Sequence, residues 1–211
     1  MSLFIAGTDT GVGKTYVTCA LLRACRSAGR LLAPFKPIAC GDRADAVALQ
    51  EAGGPELGLS LDDINPLWLK MPASPLTASL VEGRTIDPAE LLRHFNALRG
   101  RFADVVVEGV GGWEVPVTKH CRMSDFAAAL GLPVIVVVKN QLGALNHTIL
   151  TVEAVRRRGL ECRGLVLNQV ADTRDAASIS HRQVLEDILQ VPVLAELLHG
   201  GDEVDPAPFF G

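Results

Sequence analysis

Runs of apolar residues alternate along the chain with segments whose apolar positions repeat at helical spacing. The apolar runs predict strands over 3–6, 31–38, 104–109, 133–138, 162–167 and 191–194. The helical spacing predicts helices over 16–28, 42–52, 88–100, 124–130, 144–158 and 180–189. Strands that alternate with helices form a mostly parallel sheet with helices on both faces. The pattern therefore predicts an α/β fold, with residues 1–211 as a single domain.

Residues 53–87 interrupt this alternation. They contain several glycines together with prolines at four scattered positions, Pro55, Pro66, Pro72 and Pro75. Proline removes a backbone donor and interrupts helices and central strands. We therefore expect loops in this segment, with at most one strand or short helix.

Composition limits the classes of function. The chain has 211 residues, of which 48% are hydrophobic and 21% charged, as in ordinary globular proteins. Its net charge of −4 gives no basic surface for nucleic acid, and no apolar run reaches membrane-spanning length. The short apolar stretch at the N-terminus follows no basic segment, so we expect a cytoplasmic protein without a signal peptide. The five scattered cysteines contain no Cys-x-x-Cys pair, which favours reduced thiols over disulfides or a zinc site.

The first predicted strand runs directly into Gly-Thr-Asp-Thr-Gly-Val-Gly-Lys-Thr at 7–15, and a predicted helix follows. A strand, a glycine-rich turn and a helix are the setting of a phosphate-binding loop, in which backbone N–H groups and the helix N-terminus face the anion. Lys14 would reach the β- and γ-phosphates, and the Thr15 hydroxyl would ligate magnesium. Five residues separate Gly7 from Gly13, one more than is usual. An ordinary glycine-rich turn is the alternative, but Gly-Lys-Thr at the start of a helix is far more specific.

Three further polar residues follow predicted strands: Lys36, Glu108 and Asn168. In a parallel sheet all such positions lie at one edge, where ligands bind. A carboxylate at a strand end, as at Glu108, is the second acidic element that meets magnesium in phosphate-loop enzymes. Asp45 lies in the first turn of a predicted helix, where a carboxylate can also simply complement the helix dipole.

Several motifs in order and at consistent spacing resemble the dethiobiotin synthetase family along nearly the whole chain. They are the loop at 7–15, Phe-Lys-Pro-Ile at 35–38, Asp-Ala at 45–46, Ala-Ser-Pro at 73–75, Val-Glu-Gly-Val-Gly-Gly-Trp at 107–113 and Leu-Gly-Ala-Leu-Asn-His at 142–147. The resemblance implies a P-loop NTPase-like fold. It also implies a ligase that uses ATP to convert 7,8-diaminopelargonic acid and carbon dioxide or bicarbonate into dethiobiotin, ADP and phosphate. The reaction runs through a carbamate and a carbamic–phosphoric anhydride.

The resemblance also implies roles for individual residues. The residues implied in nucleotide binding are Thr8, Asp9, Gly11, Val12, Gly13, Lys14, Thr15, Glu108 and Asn168. Of these, Asn168 would contact the edge of the adenine base. The residues implied as magnesium ligands are Thr15, Asp45 and Glu108. The residues implied in binding the diamine are Thr10, Lys36, Cys40, Val110, Gly111 and Asn146. The residues implied in catalysis are Lys14, Lys36 and Thr10. Cys40 stands where many members carry Ser, and Glu-Leu-Leu at 196–198 replaces the usual Glu-Ile-Pro, which leaves the choice among ATP, CTP and GTP open.

Members of the family are homodimers with the diamine at the subunit interface, so Asn146 is expected to serve the partner's site. The alternative is that Asn146 only caps the helix that leads to Val155. Two other activities exist among related phosphate-loop proteins. A cobyrinate-amidating enzyme needs a glutaminase domain, for which we expect no room. A partitioning ATPase usually has a second lysine early in the loop, whereas positions 8 and 9 are Thr and Asp.

Overall fold

A parallel β-sheet forms the centre of the computed structural model, which describes residues 1–172 and 176–211. The strands are β1 (Leu3–Gly7), β2 (Ala33–Phe35), β3 (Ile38–Cys40), β4 (Leu67–Leu69), β5 (Val105–Glu108), β6 (Val134–Lys139), β7 (Cys162–Asn168) and β8 (Val193–Leu197). Six strands form the main sheet in the order β2-β5-β1-β6-β7-β8, and β3 pairs with β4 in a small second sheet. All of these pairs are parallel, which confirms the predicted α/β class.

Helices of up to 14 residues connect the strands. They are α1 (Lys14–Ser27), α2 (Ala44–Gly53), α3 (Leu61–Ile64), α4 (Pro75–Glu82), α5 (Pro88–Arg101), α6 (Met123–Leu130), α7 (Ala144–Arg157), α8 (His181–Leu189) and α9 (Ala207–Phe210). Within residues 1–172 and 176–211, no helix is both long enough and apolar enough to cross a bilayer.

The main sheet is covered on both faces. Every residue of β1 and β5 is buried. Because successive residues of a strand point to opposite faces, uninterrupted burial requires packing on each side. The apolar residues of these strands, Leu-Phe-Ile-Ala in β1 and Val-Val-Val in β5, thus supply the centre of the core.

The segment 53–87 contains more regular structure than predicted. It contains α3, β4 and α4 as well as a 3-10 turn at Pro55–Leu57, so the expectation of at most one strand or short helix was wrong. Pro75 occupies the first turn of α4, where its missing N–H costs nothing, and the Ser74 side chain caps that helix. Ser60 and Asp63 form a capping box that starts α3. The prolines and polar residues therefore start helices here rather than exclude them.

Two other boundaries differ from the predictions. Helix α1 begins at Lys14 rather than at residue 16, because the left-handed residue Gly13 (φ 88°) leads straight into it. The predicted strand 31–38 is divided into β2 and β3, and Lys36 lies in the break between them. The backbone N–H of Lys36 donates to Ile64 O at 2.7 Å, outside the main sheet.

The order of the strands brings distant parts of the sequence together. From β1 the chain moves to one side for β2 and β5 and to the other for β6, β7 and β8. The carboxyl ends of β1, β2, β5 and β7 therefore share one edge, at the place where α/β folds bind ligands. The phosphate loop, Lys36, Glu108 and Asn168 all lie at this edge.

Candidate active site

The phosphate loop wraps tightly between β1 and α1, and glycine is required at two of its positions. A Cβ atom at Gly13 would lie 2.1 Å from Asn168 Nδ2, and one at Gly7 would lie 3.0 Å from Lys14 Nζ. The N-cap of α1 is Gly13, which has no side chain to cap the helix. The first-turn N–H groups and the positive end of the helix dipole therefore remain available to an anion.

Lys14 bridges the loop and the segment that follows β5. Its ammonium donates to Gly111 O at 2.7 Å and to Asp9 O at 3.2 Å, and the residue is only 8% exposed. Both acceptors are neutral carbonyls. A phosphate oxygen would offer the ammonium a stronger, charge-assisted partner.

A compact ionic cluster lies beside Lys14. Lys36 Nζ donates to Glu108 Oε1 at 2.5 Å and to Asp45 Oδ2 at 3.0 Å, and the Thr15 hydroxyl donates to Glu108 Oε1 at 2.7 Å. Lys36 and Glu108 are fully buried, whereas the Asp45 side chain is half exposed. Glu108 Oε2 is buried, and no residue among 1–172 and 176–211 donates a hydrogen bond to it. An orphaned buried carboxylate oxygen is costly and marks a position where a further donor or cation would fit.

The pKa values of the two buried lysines are shifted in opposite directions. Burial, helped by repulsion from Lys36, lowers the pKa of Lys14 to about 8. Burial acts on Lys36 in the same direction, but the attraction of Glu108 and Asp45 outweighs it and raises the pKa of Lys36 above its ordinary value. For Asp45, burial would raise the pKa, but Lys36 outweighs it and lowers the pKa. Lys36 is thus a fixed cation at neutral pH, held by its two carboxylates.

These groups open onto a cavity of about 660 Å³. It is bounded by the phosphate loop, by the segments after β2, β3 and β5, and by the start of α4. Its lining residues are Thr10, Gly11, Gly13, Lys14, Thr15, Lys36, Ala39, Cys40, Asp42, Asp45, Pro72, Ala73, Ser74, Pro75, Val110, Gly111 and Val115. The volume suits a small polar substrate beside a nucleotide phosphate chain.

Comparison with known proteins identifies the family. Residues 1–199 match a family model described as an AAA domain. The chain is 46% identical over 204 residues to the ATP-dependent dethiobiotin synthetase BioD of Akkermansia muciniphila, with 97% of this chain and 95% of that protein covered. The BioD protein of Aromatoleum aromaticum is 40% identical over 212 residues, with 97% and 92% covered. The chain belongs to the dethiobiotin synthetase family.

Solved structures with the same fold are more distant in sequence. The septum site-determining protein MinD of Pyrococcus horikoshii, complexed with Mg-ADP, is 18% identical with a TM-score of 0.59, over 94% of this chain and 82% of that one. A ParA family ATPase from Chlorobium tepidum is 13% identical with a TM-score of 0.55, over 93% and 84%. At these identities the likeness establishes the shared P-loop fold and nothing about the reaction.

Most residues that the resemblance to dethiobiotin synthetases implied lie on this one cavity. Those in its lining are Thr10, Gly11, Gly13, Lys14, Thr15, Lys36, Cys40, Asp45, Val110 and Gly111. Thr8 and Asp9 border an adjoining cavity of about 480 Å³, and Val12 is packed in the core. Burial raises the pKa of the Cys40 thiol to about 11, so this side chain is a neutral thiol at physiological pH.

Two of the implied residues have other surroundings. Asn168 is buried, and its Nδ2 donates to Val12 O at 2.9 Å, which ties the end of β7 to the phosphate loop. Its contact with adenine stays a prediction. Asn146 is exposed on α7, away from the cavity lining. The alternative that Asn146 caps this helix was wrong, because the N-cap of α7 is Gly143.

Other lining residues were not recognised from the sequence as part of the site. They include Asp42 and the turn at residues 72–75 that leads into α4. Ala73-Ser74-Pro75 belongs to a family motif but had no role assigned to it. The available signal was local: a serine followed by a proline is the start of a helix, and helix starts often border ligands.

The residues predicted to ligate magnesium lie together. Asp45 and Glu108 both accept from Lys36, and the Thr15 hydroxyl donates to Glu108. The oxygen atoms of these three residues are the donor type that Mg²⁺ prefers. Within residues 1–172 and 176–211, no cluster of three or more His, Cys, Asp or Glu side chains could hold a metal. The predicted set of ligands is not a cluster of that kind, because it consists of two carboxylates and a hydroxyl.

Proposed function

We propose that this chain closes the ureido ring of dethiobiotin, using ATP, carbon dioxide and 7,8-diaminopelargonic acid. The observation that carries the proposal is one cavity that holds both a phosphate-loop lysine, Lys14, and a second buried cation, Lys36. An enzyme that only hydrolyses ATP needs the first of these. The second suits an anionic acceptor of the phosphoryl group, and a carbamate is such an acceptor.

The three steps balance as follows. One amine of the diamine attacks carbon dioxide and loses a proton, which gives a carbamate. A carbamate oxygen takes the γ-phosphoryl group of ATP, and ADP leaves. The second amine attacks the carbamoyl carbon, the C–O bond to phosphate breaks, and the ring closes with loss of a proton and inorganic phosphate.

Lys14 and Lys36 would stabilise charge at different steps of this reaction. Lys14 and the N-terminus of α1 bind the phosphates and neutralise charge on the transferring group. Lys36 presents a fixed positive charge to the carbamate while it forms and while it attacks phosphorus. Thr10 and the backbone at Val110 and Gly111 border the same space and would orient the diamine, since aligned reactants lower the barrier to transfer.

The oxygen atoms of Thr15, Asp45 and Glu108 would hold magnesium, and this is supported by the buried Glu108 Oε2, which accepts no hydrogen bond from the part of the chain that the structure describes. When bound, it would neutralise charge on the β- and γ-phosphates. We also propose that the enzyme is a cytoplasmic homodimer in which Asn146 reaches the partner's diamine. The exposed position of Asn146 on α7 supports that arrangement.

Phosphate release tests the proposal. Purified protein is given MgATP, bicarbonate and diaminopelargonate, and then each mixture that lacks one component. We expect turnover only with the full mixture, together with dethiobiotin detected by mass spectrometry, and none from Lys14→Ala. Phosphate release without the diamine, stimulated by DNA, would contradict the proposal and favour a partitioning ATPase.

A further inference from the structure

The backbone of Lys36 is held by residues outside the main sheet. Lys36 lies in the break between β2 and β3. Its N–H donates to Ile64 O at 2.7 Å, and its carbonyl accepts from Asn65 Nδ2 at 2.8 Å. Both of its main-chain polar groups are therefore fixed by two consecutive residues at the end of α3.

Asn65 is 1% exposed, and its amide is engaged on three sides. Besides Lys36 O, its Nδ2 donates to Leu67 O at 3.0 Å, and its Oδ1 accepts from Arg43 Nε at 3.1 Å. A buried amide with both donor hydrogens and its oxygen in use has little freedom to turn. Aspartate and leucine have nearly the same shape, but neither supplies the two donors.

Arg43 connects Asn65 to the start of α2. Its Nη2 donates to Asn65 O at 2.7 Å, and its carbonyl accepts the N–H of Val47 at 3.0 Å in the first turn of that helix. Asp45 lies in the same turn and pairs with Lys36 Nζ at 3.0 Å. The contacts close a ring that runs from the Lys36 backbone through Asn65, Arg43 and the first turn of α2 to Asp45, and back to the Lys36 ammonium.

We propose that Asn65 and Arg43 are positioning residues for the reaction, which set the Lys36 ammonium against Asp45 through this ring. The inference rests on the role given to Lys36 under the proposed function. A lysine side chain has four rotatable bonds, so the direction of its charge depends on its backbone and on its ion-pair partner. The contact between the Asn65 amide and the Arg43 guanidinium fixes both the backbone of Lys36 and the position of Asp45. Neither residue needs to touch the substrate.

Two variants break the ring at different points. Asn65→Asp keeps an oxygen for Arg43 but directs carboxylate oxygens at the carbonyls of Lys36 and Leu67. Arg43→Met removes the guanidinium from a partly exposed position, where loss of folding is less of a concern. The matched control is Gln50→Leu, which removes an amide donor to Leu59 O (2.8 Å) from the same helix, α2.

We expect Asn65→Asp to lower kcat by about 10- to 100-fold, because displacement of a catalytic charge by an ångström has effects of this size. Arg43→Met should lower kcat in the same direction. The affinity for MgATP, measured by calorimetry without the diamine, should stay at the wild-type value in both. Gln50→Leu should retain wild-type kcat. Thermal unfolding compares the losses of stability of all three variants.

The inference is overturned if both ring variants keep the kcat of the Gln50→Leu control, or if MgATP affinity falls along with kcat, since that is a general structural effect. If Asn65→Asp does not fold, Arg43→Met decides alone. Failure of the proposed function looks different, because wild-type protein would then form no dethiobiotin in the full mixture. Normal ring closure by Lys36→Ala would refute the role given to Lys36, whereas an inactive Lys36→Ala with active ring variants refutes only the positioning role.

Discussion

Replacement of Lys14 by methionine, which removes the charge and keeps the length, should have opposite effects on activity and on stability. Lys14 is buried, and its ammonium contacts the carbonyls of Asp9 and Gly111. Loss of a major electrostatic donor costs about 3–4 kcal/mol of transition-state stabilisation, so turnover should fall by at least about 10²-fold. The ligand-free protein, in contrast, no longer has to bury that charge.

The effect on stability follows from the pKa of Lys14, which burial lowers from 10.5 to about 8. This difference makes the charged lysine cost the folded state about 3 kcal/mol at pH 7. The methionine variant avoids that cost but leaves two carbonyls unbonded, at about 1 kcal/mol each. The variant should therefore be more stable than wild type at pH 7 by about 1 kcal/mol, which for a chain of this size raises Tm by about 2–4 °C.

The sign of this difference should change with pH. Between pH 8 and 10.5 the unfolded lysine binds more protons than the folded one, so the stability of the wild type rises with pH relative to the variant. At about 1.4 kcal/mol per pH unit, the advantage of the variant should vanish near pH 9 and then reverse.

Thermal unfolding of both proteins without nucleotide, from pH 7 to 10.5, measures this change. The other lysines are present in both proteins and cancel in the difference. The exposed Lys70, replaced by methionine, controls for the loss of one positive charge. A Tm difference between Lys14→Met and wild type that is independent of pH, or a folded variant with normal ring closure, would refute the reasoning.

Three further predictions concern the cluster and the assembly. Glu108→Gln and Asp45→Asn should each raise the magnesium concentration needed for turnover, because each removes a ligand charge; unchanged magnesium dependence in both would show that the ligand set is wrong. Lys36→Ala should impair the diamine-dependent steps more than it weakens MgATP binding, which calorimetry measures. It should also destabilise the fold by about 3–5 kcal/mol, because the Glu108 carboxylate stays buried without its partner cation. An equal loss of affinity for the diamine and for MgATP would indicate a structural role. Equal mixing of Lys14→Met and Asn146→Ala subunits, each inactive alone, should restore roughly a quarter of wild-type activity, since half the dimers then have one intact site; no recovery after confirmed exchange would place Asn146 in its own chain's site.

The parts of the site that sequence predicts well are those that local patterns fix. The loop at 7–15 requires glycines at set positions, and a buried strand that ends in Glu108 must present that residue at the sheet edge. The parallel order of strands then follows from their alternation with helices. Motif and topology together were enough to predict that Lys14, Lys36 and Glu108 share one edge.

The parts that sequence could not predict depend on tertiary contacts. Asp45 lies in the first turn of α2, as expected of a carboxylate that complements the helix dipole, and it also pairs with Lys36. Only the fold shows that both interactions occur. Asn65 precedes Pro66 in a segment rich in turn residues, where an asparagine is ordinary. Its burial and its contact with the Lys36 backbone arise from the packing of α3 beside β2.

The contrast between the two buried lysines has a consequence for binding. The pKa of Lys36 is raised because Glu108 and Asp45 lie at 2.5 and 3.0 Å, whereas the ammonium of Lys14 donates to the carbonyls of Asp9 and Gly111 and burial lowers its pKa. The ligand-free enzyme therefore stores a cost of about 3 kcal/mol at Lys14. A phosphate that pairs with this ammonium removes the cost, and the same free energy then appears as affinity, worth about a hundredfold in Kd. Burial of the phosphate-loop lysine without a carboxylate thus destabilises the free fold and strengthens nucleotide binding by the same interaction.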